Sequence, residues 1–184
     1  APGPDPLEKQ VDAHRLAGGE PRRITTEAGW HEAVFAGNAR VFVTTHSAPD
    51  LPPRVRLFDA SGRQRAVLEA NALDDSHPYA PYAAGHLMPE YGTLGAADGQ
   101  ALHYAVFKPP GFDPARRYPA IVRYYGGPGR QFVRRDWTSA INTGVTDLLS
   151  QYWARQGYVV FALDNRGTPR RGKVFEDPLY RRMG

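Results

Sequence analysis

Up to about residue 70 the chain alternates apolar and polar positions over short runs split by turn residues. "DAHRL" and "RRITT" flank Gly18-Gly19, and "WHEAVF" and "RVFVTTHS" flank Gly37-Asn38. "APDLPP" leads into "RVRLFDA", and Ser61-Gly62 leads into "RQRAVLEA". A period of two is that of a strand whose side chains point alternately to opposite faces. Short runs with tight links predict an antiparallel meander. In "RVRLF", Val55 and Leu57 share one face while Arg54 and Arg56 share the other. The four runs over residues 30–70 fit one four-stranded propeller blade, and a lone blade cannot bury both of its faces. The runs before Trp30 would close a preceding blade.

The texture changes near residues 71–90. "NALDDSHPYAPYAAGHLMPE" has no clear period and reads as a connector with one short helical turn at "NALDD". From Tyr91 onward, "YGTLGAADGQALHYAVF" predicts two strands joined at Asp98-Gly99, a strong hairpin signal. An apolar strand follows over residues 120–124. "NTGVTDLLSQYWARQG" predicts a helix, with Val145, Leu148, Leu149, Tyr152 and Trp153 at helical spacing and Gly157 at its end. "YVVFALDN" is a near-continuous apolar strand of the kind buried in a parallel sheet. Strand, helix and strand in this order make an α/β unit. The expected division is 1–70 for propeller strands, with the last blade at about 30–70, then a connector at 71–90 and an α/β portion at 91–184.

Composition narrows the chemistry. Of 184 residues, 41% are hydrophobic and 23% charged, the balance of a globular chain. The net charge of +4 comes from arginine. Nucleic-acid binding would need that arginine gathered on one face, which the sequence does not display, so no nucleic-acid partner is expected. With no cysteine, disulfides and thiolate metal sites are excluded. No pair of histidines has helical metal-ligand spacing, and no metal is expected. No apolar run reaches membrane-spanning length, and "APGPDPLEKQ" is not a signal peptide. Periplasmic and cytoplasmic locations both stay open.

Two stretches carry more than periodicity. "KPPGFDPARRYPAIVRYYGGPG" ends an apolar strand on two tyrosines and turns at once on Gly-Gly-Pro-Gly. "YVVFALDNRGTPRRG" ends the second apolar strand on a charged, glycine-bearing loop. Together, and in the order blade, hairpin, strand, helix, strand, they resemble the prolyl oligopeptidase family of serine peptidases, most closely its dipeptidyl peptidase IV branch. The resemblance covers nearly the whole chain. It implies a mixed fold: a β-propeller blade of antiparallel strands followed by the N-terminal part of an α/β-hydrolase domain.

The resemblance also assigns roles. Tyr125, just before Gly-Gly-Pro, would be the hydroxyl donor of the oxyanion hole, and Tyr124 a core residue. Gly126, Gly127, Pro128 and Gln131 would line the cleft. Asp164 and Arg166 would be structural. The chain holds no G-x-S-x-G elbow, and the family orders its triad Ser, Asp, His. The chain is therefore expected to be a segment of a longer serine exopeptidase that releases N-terminal X-Pro or X-Ala dipeptides through an acyl-enzyme, and to be inactive alone. Its expected partner is a peptide substrate, with a homodimer in the intact protein and no cofactor. Open alternatives are an acylaminoacyl or tripeptidyl peptidase, or a non-catalytic β-rich binding module.

Overall fold

A computed structural model describes residues 5–125, 127–137 and 148–181. The described chain forms two compact units. Of the described residues, those up to Gly85 with Arg135–Trp137 make the first, and those from His86 to Arg134 with those from Leu148 onward make the second.

In the first unit a two-stranded ribbon, β1 (Asp12–Ala13) with β2 (Arg22–Arg23), precedes a four-stranded antiparallel sheet. The sheet runs in chain order: β3 (Trp30–Phe35), β4 (Val41–Ala48), β5 (Leu51–Asp59) and β6 (Gln64–Glu69). This is the blade that the alternation predicts. It is longer at β5 than expected, because "LPP" belongs to the strand and not to a linker. Prolines cannot donate to a ladder. Here the register shifts between His46 and Ala48, and beyond the end of β6 the Asn71 amide donates to the Pro53 carbonyl at 3.0 Å. The helical turn expected at residues 71–75 lies instead at α1 (Ala80–Ala83), opened by Pro81.

The more deeply packed face of β5 is the one that carries Arg56. Pro52, Arg56 and Phe58 are buried, whereas Val55 and Leu57 are half-buried. A buried guanidinium is tolerated where partners meet it. Arg56 pairs with Glu27, lies 3.3 Å from Nδ1 of His46, and covers the Phe58 ring. His46 and His31 face each other across β4 and β3 with rings stacked at 4.0 Å. Their Nε2 atoms contact the carbonyls of Ala28 (2.8 Å) and Glu27 (3.0 Å). Only a protonated Nε2 can donate there, so His46 Nδ1 keeps the lone pair that accepts from Arg56.

Burial holds His31 down, from 6.5 to about 4, with the charges of His46 and Arg56 acting in the same sense. Burial lowers His46 too. A histidine whose folded pKa is depressed binds its proton more weakly folded than unfolded. It therefore contributes stability that is full above 6.5 and is lost as pH falls towards 4. The expected loss from His31 alone is on the order of 3 kcal/mol across that window. Residue-resolved amide exchange between pH 7 and 4 should show β3 and β4 losing protection, and His31→Phe should flatten the loss. Equal acid sensitivity in His31→Phe would refute the assignment.

The second unit is built on a mixed sheet in the order β7-β8-β10-β9. The predicted hairpin is present as β7 (Glu90–Gly95) and β8 (Ala101–Phe107), turning with Gly99 at φ +79°. Strand β9 (Ala120–Arg123) runs parallel to β10 (Val159–Leu163), and α2 (Leu148–Arg155) connects them. Residues 142–147 of the predicted helix lie outside the described residues. After β10 come α3 (Lys173–Glu176) and a 3-10 turn (Asp177–Leu179). The core holds Ala105, Phe107, Val160, Ala162 and Phe175, all at most 1% exposed.

Of the apolar positions at helical spacing, Leu149 and Trp153 of α2 are half-buried, and the most buried residues of the helix lie beside them. Ser150, Gln151 and Ala154 point inward, while Leu148 and Tyr152 are exposed. Small residues permit close approach, and the polar ones are paired. Ser150 Oγ accepts from Arg123 at 2.6 Å, and the Gln151 amide both donates to and accepts from the Leu87 backbone at 2.8 Å.

Candidate active site

Strands β9 and β10 are parallel, so their C-terminal ends share one edge of the sheet, with Arg123 opposite Ala162. Loops at such an edge are where open α/β sheets place their chemistry. Tyr124 and Tyr125 leave the end of β9, and Asp164 to Gly167 leave the end of β10.

Tyr125 is 50% exposed, and its hydroxyl has no hydrogen-bond partner among the described residues. Its ring lies 6.4 Å from the Phe132 ring, with planes 27° apart. The Arg130 guanidinium sits 5.8 Å from the Tyr125 ring and 5.0 Å from that of Phe132. Gly127 makes room for the phenol: a Cβ there would lie 3.2 Å from Cε1 of Tyr125. Pro128 and Gly129 form the turn, Gly129 at φ +84°. Gly126 lies outside the described residues. Tyr124 is not a core residue. It is 66% exposed in this chain, in line with Ala120 and Val122, which are exposed on the same face of β9.

Gln131 is buried at 7% exposure. Its Nε2 donates to the Val133 carbonyl at 3.0 Å, and its Oε1 lies 3.4 Å from Arg170. It thus braces the inside of the loop that carries Tyr125. Phe132 and Val133 turn inward as well, at 9% and 0% exposure.

Asp164 is 3% exposed. Its N–H donates to the His103 carbonyl at 2.9 Å. Its carboxylate accepts from two consecutive backbone amides, Oδ1 from Phe132 at 2.7 Å and Oδ2 from Val133 at 3.1 Å. Burial pushes this carboxyl up to about 6, against the pull of the two amides and of Arg171 and Arg134. The sign is opposite to that of His31. An acid whose folded pKa is raised contributes stability that is full below its unfolded value of 3.8 and is lost as pH rises through about 6.

Arg166 donates to the carbonyls of Val174 (2.6 Å) and Phe175 (3.3 Å), covers the Phe175 ring, and pairs with Asp98. Gly167 takes φ +91°, and a Cβ there would overlap the Leu179 side chain. The "DNRG" loop is thus an internally bonded corner. Sequence reasoning saw Asp164 and Arg166 as structural but had no signal for the amides that Asp164 would meet, which lie more than thirty residues earlier in the chain.

No family model matches the chain. It is 30% identical over 166 residues to the Aspergillus flavus protein named probable dipeptidyl peptidase 4, covering 86% of this chain and 20% of that one. It is 28% identical over 186 residues to dipeptidyl peptidase 8 of Mus musculus, covering 97% of this chain and 20% of that one. The crystal structure of Porphyromonas gingivalis dipeptidyl peptidase 4 superposes with a TM-score of 0.79 at 26% identity, over 95% of this chain and 23% of that one. The chain spans about a fifth of the length of the curated relatives it matches.

Proposed function

We propose, from the premise that this chain belongs to the dipeptidyl peptidase IV branch of the prolyl oligopeptidase family of serine peptidases, that it supplies the oxyanion donor of a serine exopeptidase. The substrate is a peptide with a free amino terminus, and the product is an N-terminal X-Pro or X-Ala dipeptide. A serine on an elbow elsewhere in the intact protein attacks the scissile carbonyl. The amine leaves, and the acyl-enzyme is hydrolysed. Tyr125 donates its hydroxyl hydrogen to the oxygen on which negative charge develops, beside the backbone N–H that follows the nucleophile.

One observation carries the reading. A phenol stands half-exposed at the C-terminal edge of a parallel sheet, its hydroxyl uncommitted among the described residues, on a loop whose far end is tied down by Asp164. In this reading residues 1–70 belong to the closing part of a propeller, and residues 91–184 begin the hydrolase domain. Among the described residues no helix is long and apolar enough to cross a membrane.

The test compares two proteins. The 184-residue chain should release nothing from an Ala-Pro anilide and should not react with a fluorophosphonate. The same chain within its full reading frame should release the dipeptide and take the label on one serine. A full-frame protein that is folded yet neither cleaves nor labels would end the peptidase reading.

A further inference from the structure

The oxyanion reading gives Asp164 nothing to do, yet it is among the most completely engaged side chains of the second unit. It is fixed through its own N–H to the carbonyl of His103 beside strand β10. It is buried, and each carboxylate oxygen takes a separate amide hydrogen from the loop that follows Tyr125. Burying a carboxylate is costly, and a neutral side chain of the same shape could fill the space. What a neutral amide cannot do is accept from two consecutive N–H groups through two oxygens. The gain is positional. Phe132 and Val133 are held against the end of β10, and the Phe132 ring meets the Tyr125 ring on the other arm of the loop.

We propose that Asp164 is a positioning residue of the active site, setting where the Tyr125 hydroxyl stands by clamping the amides of Phe132 and Val133. This rests on the oxyanion role of Tyr125. The contacts run from the His103 carbonyl to the Asp164 backbone, from its carboxylate to the 132–133 amides, and from the Phe132 ring to the phenol. Arg130, over both rings, covers the pair.

The test has two parts, both using Asp164→Asn, which keeps size and shape but turns one acceptor into a donor facing an amide. In the 184-residue chain, amide exchange at Phe132 and Val133 should quicken by ~10-fold or more, while β8 and β10 keep their protection. In the full-frame enzyme kcat should fall by ~10–100-fold with KM within about threefold, because a displacement of the donor is felt in the transition state. In a Tyr125→Phe background the same change should cost less than about threefold, since its effect passes through the missing hydroxyl.

An undiminished loss in that background would show that Asp164 acts independently of Tyr125, and the proposal would fail. Unchanged exchange at Phe132 and Val133 would likewise overturn it. If Tyr125→Phe alone left kcat intact, the oxyanion reading itself would fall, and the exchange data would still decide whether the clamp exists. Asp164→Glu provides a second variant. It keeps the charge but overreaches the two amides by a methylene, and it should shift exchange and kcat in the same direction as Asp164→Asn.

Discussion

Tyr125→Phe in the full-frame enzyme is expected to lower kcat by ~10²–10³-fold, or ~3–4 kcal/mol, with KM little changed. The substitution removes one oxygen and leaves the ring that stacks on Phe132, so the loop keeps its packing. The effect is specific to the transition state because the hydroxyl meets an oxygen whose charge develops during attack. Single-turnover measurement of acyl-enzyme formation isolates this step. Acylation slowed by less than about threefold would mean that the phenol is not the donor. A loss shared between kcat and KM would point to ground-state substrate binding instead.

The largest expected effect on stability is at Phe107. Its side chain is fully buried near the end of β8, where its backbone pairs with Val160 of β10. Strand β8 lies between β7 and β10, so it joins the hairpin to the strand that ends at Asp164. Phe107→Ala removes most of a large ring and leaves a cavity that the neighbouring strands can only partly close, at a cost of ~3–5 kcal/mol. Against a typical total of ~5–15 kcal/mol this takes much of the stability available to the unit. Urea unfolding of the 184-residue chain, followed at Trp153 in the second unit, measures it. A change below about 1 kcal/mol would mean that the centre of this core lies elsewhere.

Much of the architecture was legible because its signals are local. Alternation fixed the four blade strands, and Asp98-Gly99 fixed the hairpin. The apolar run over 159–163 fixed the inner strand β10. Strand faces were harder. Residues 54–58 alternate either way round, and the chain packs Arg56 inward because Glu27, His31 and His46 assemble a polar pocket from three separate segments. The most buried positions of α2 had no sequence signal for the same reason. Ser150 and Gln151 look like solvent residues until Arg123 and Leu87 arrive to meet them.

The site divides along the same line. The motif "YYGGPG" marks the turn, and only the fold brings Phe132 and Arg130 against the Tyr125 ring. "DNRG" marks a corner, and only the fold brings its aspartate to the amides of Phe132 and Val133. By itself the sequence determined which segments become strands and turns, and which phenol sits at the strand's end. Period, glycine and proline act over a few residues, and those choices are made locally. The tertiary structure alone decided which face of each element is buried and what each buried charge meets. Those outcomes depend on partners far away in the chain, and no local pattern encodes their arrival.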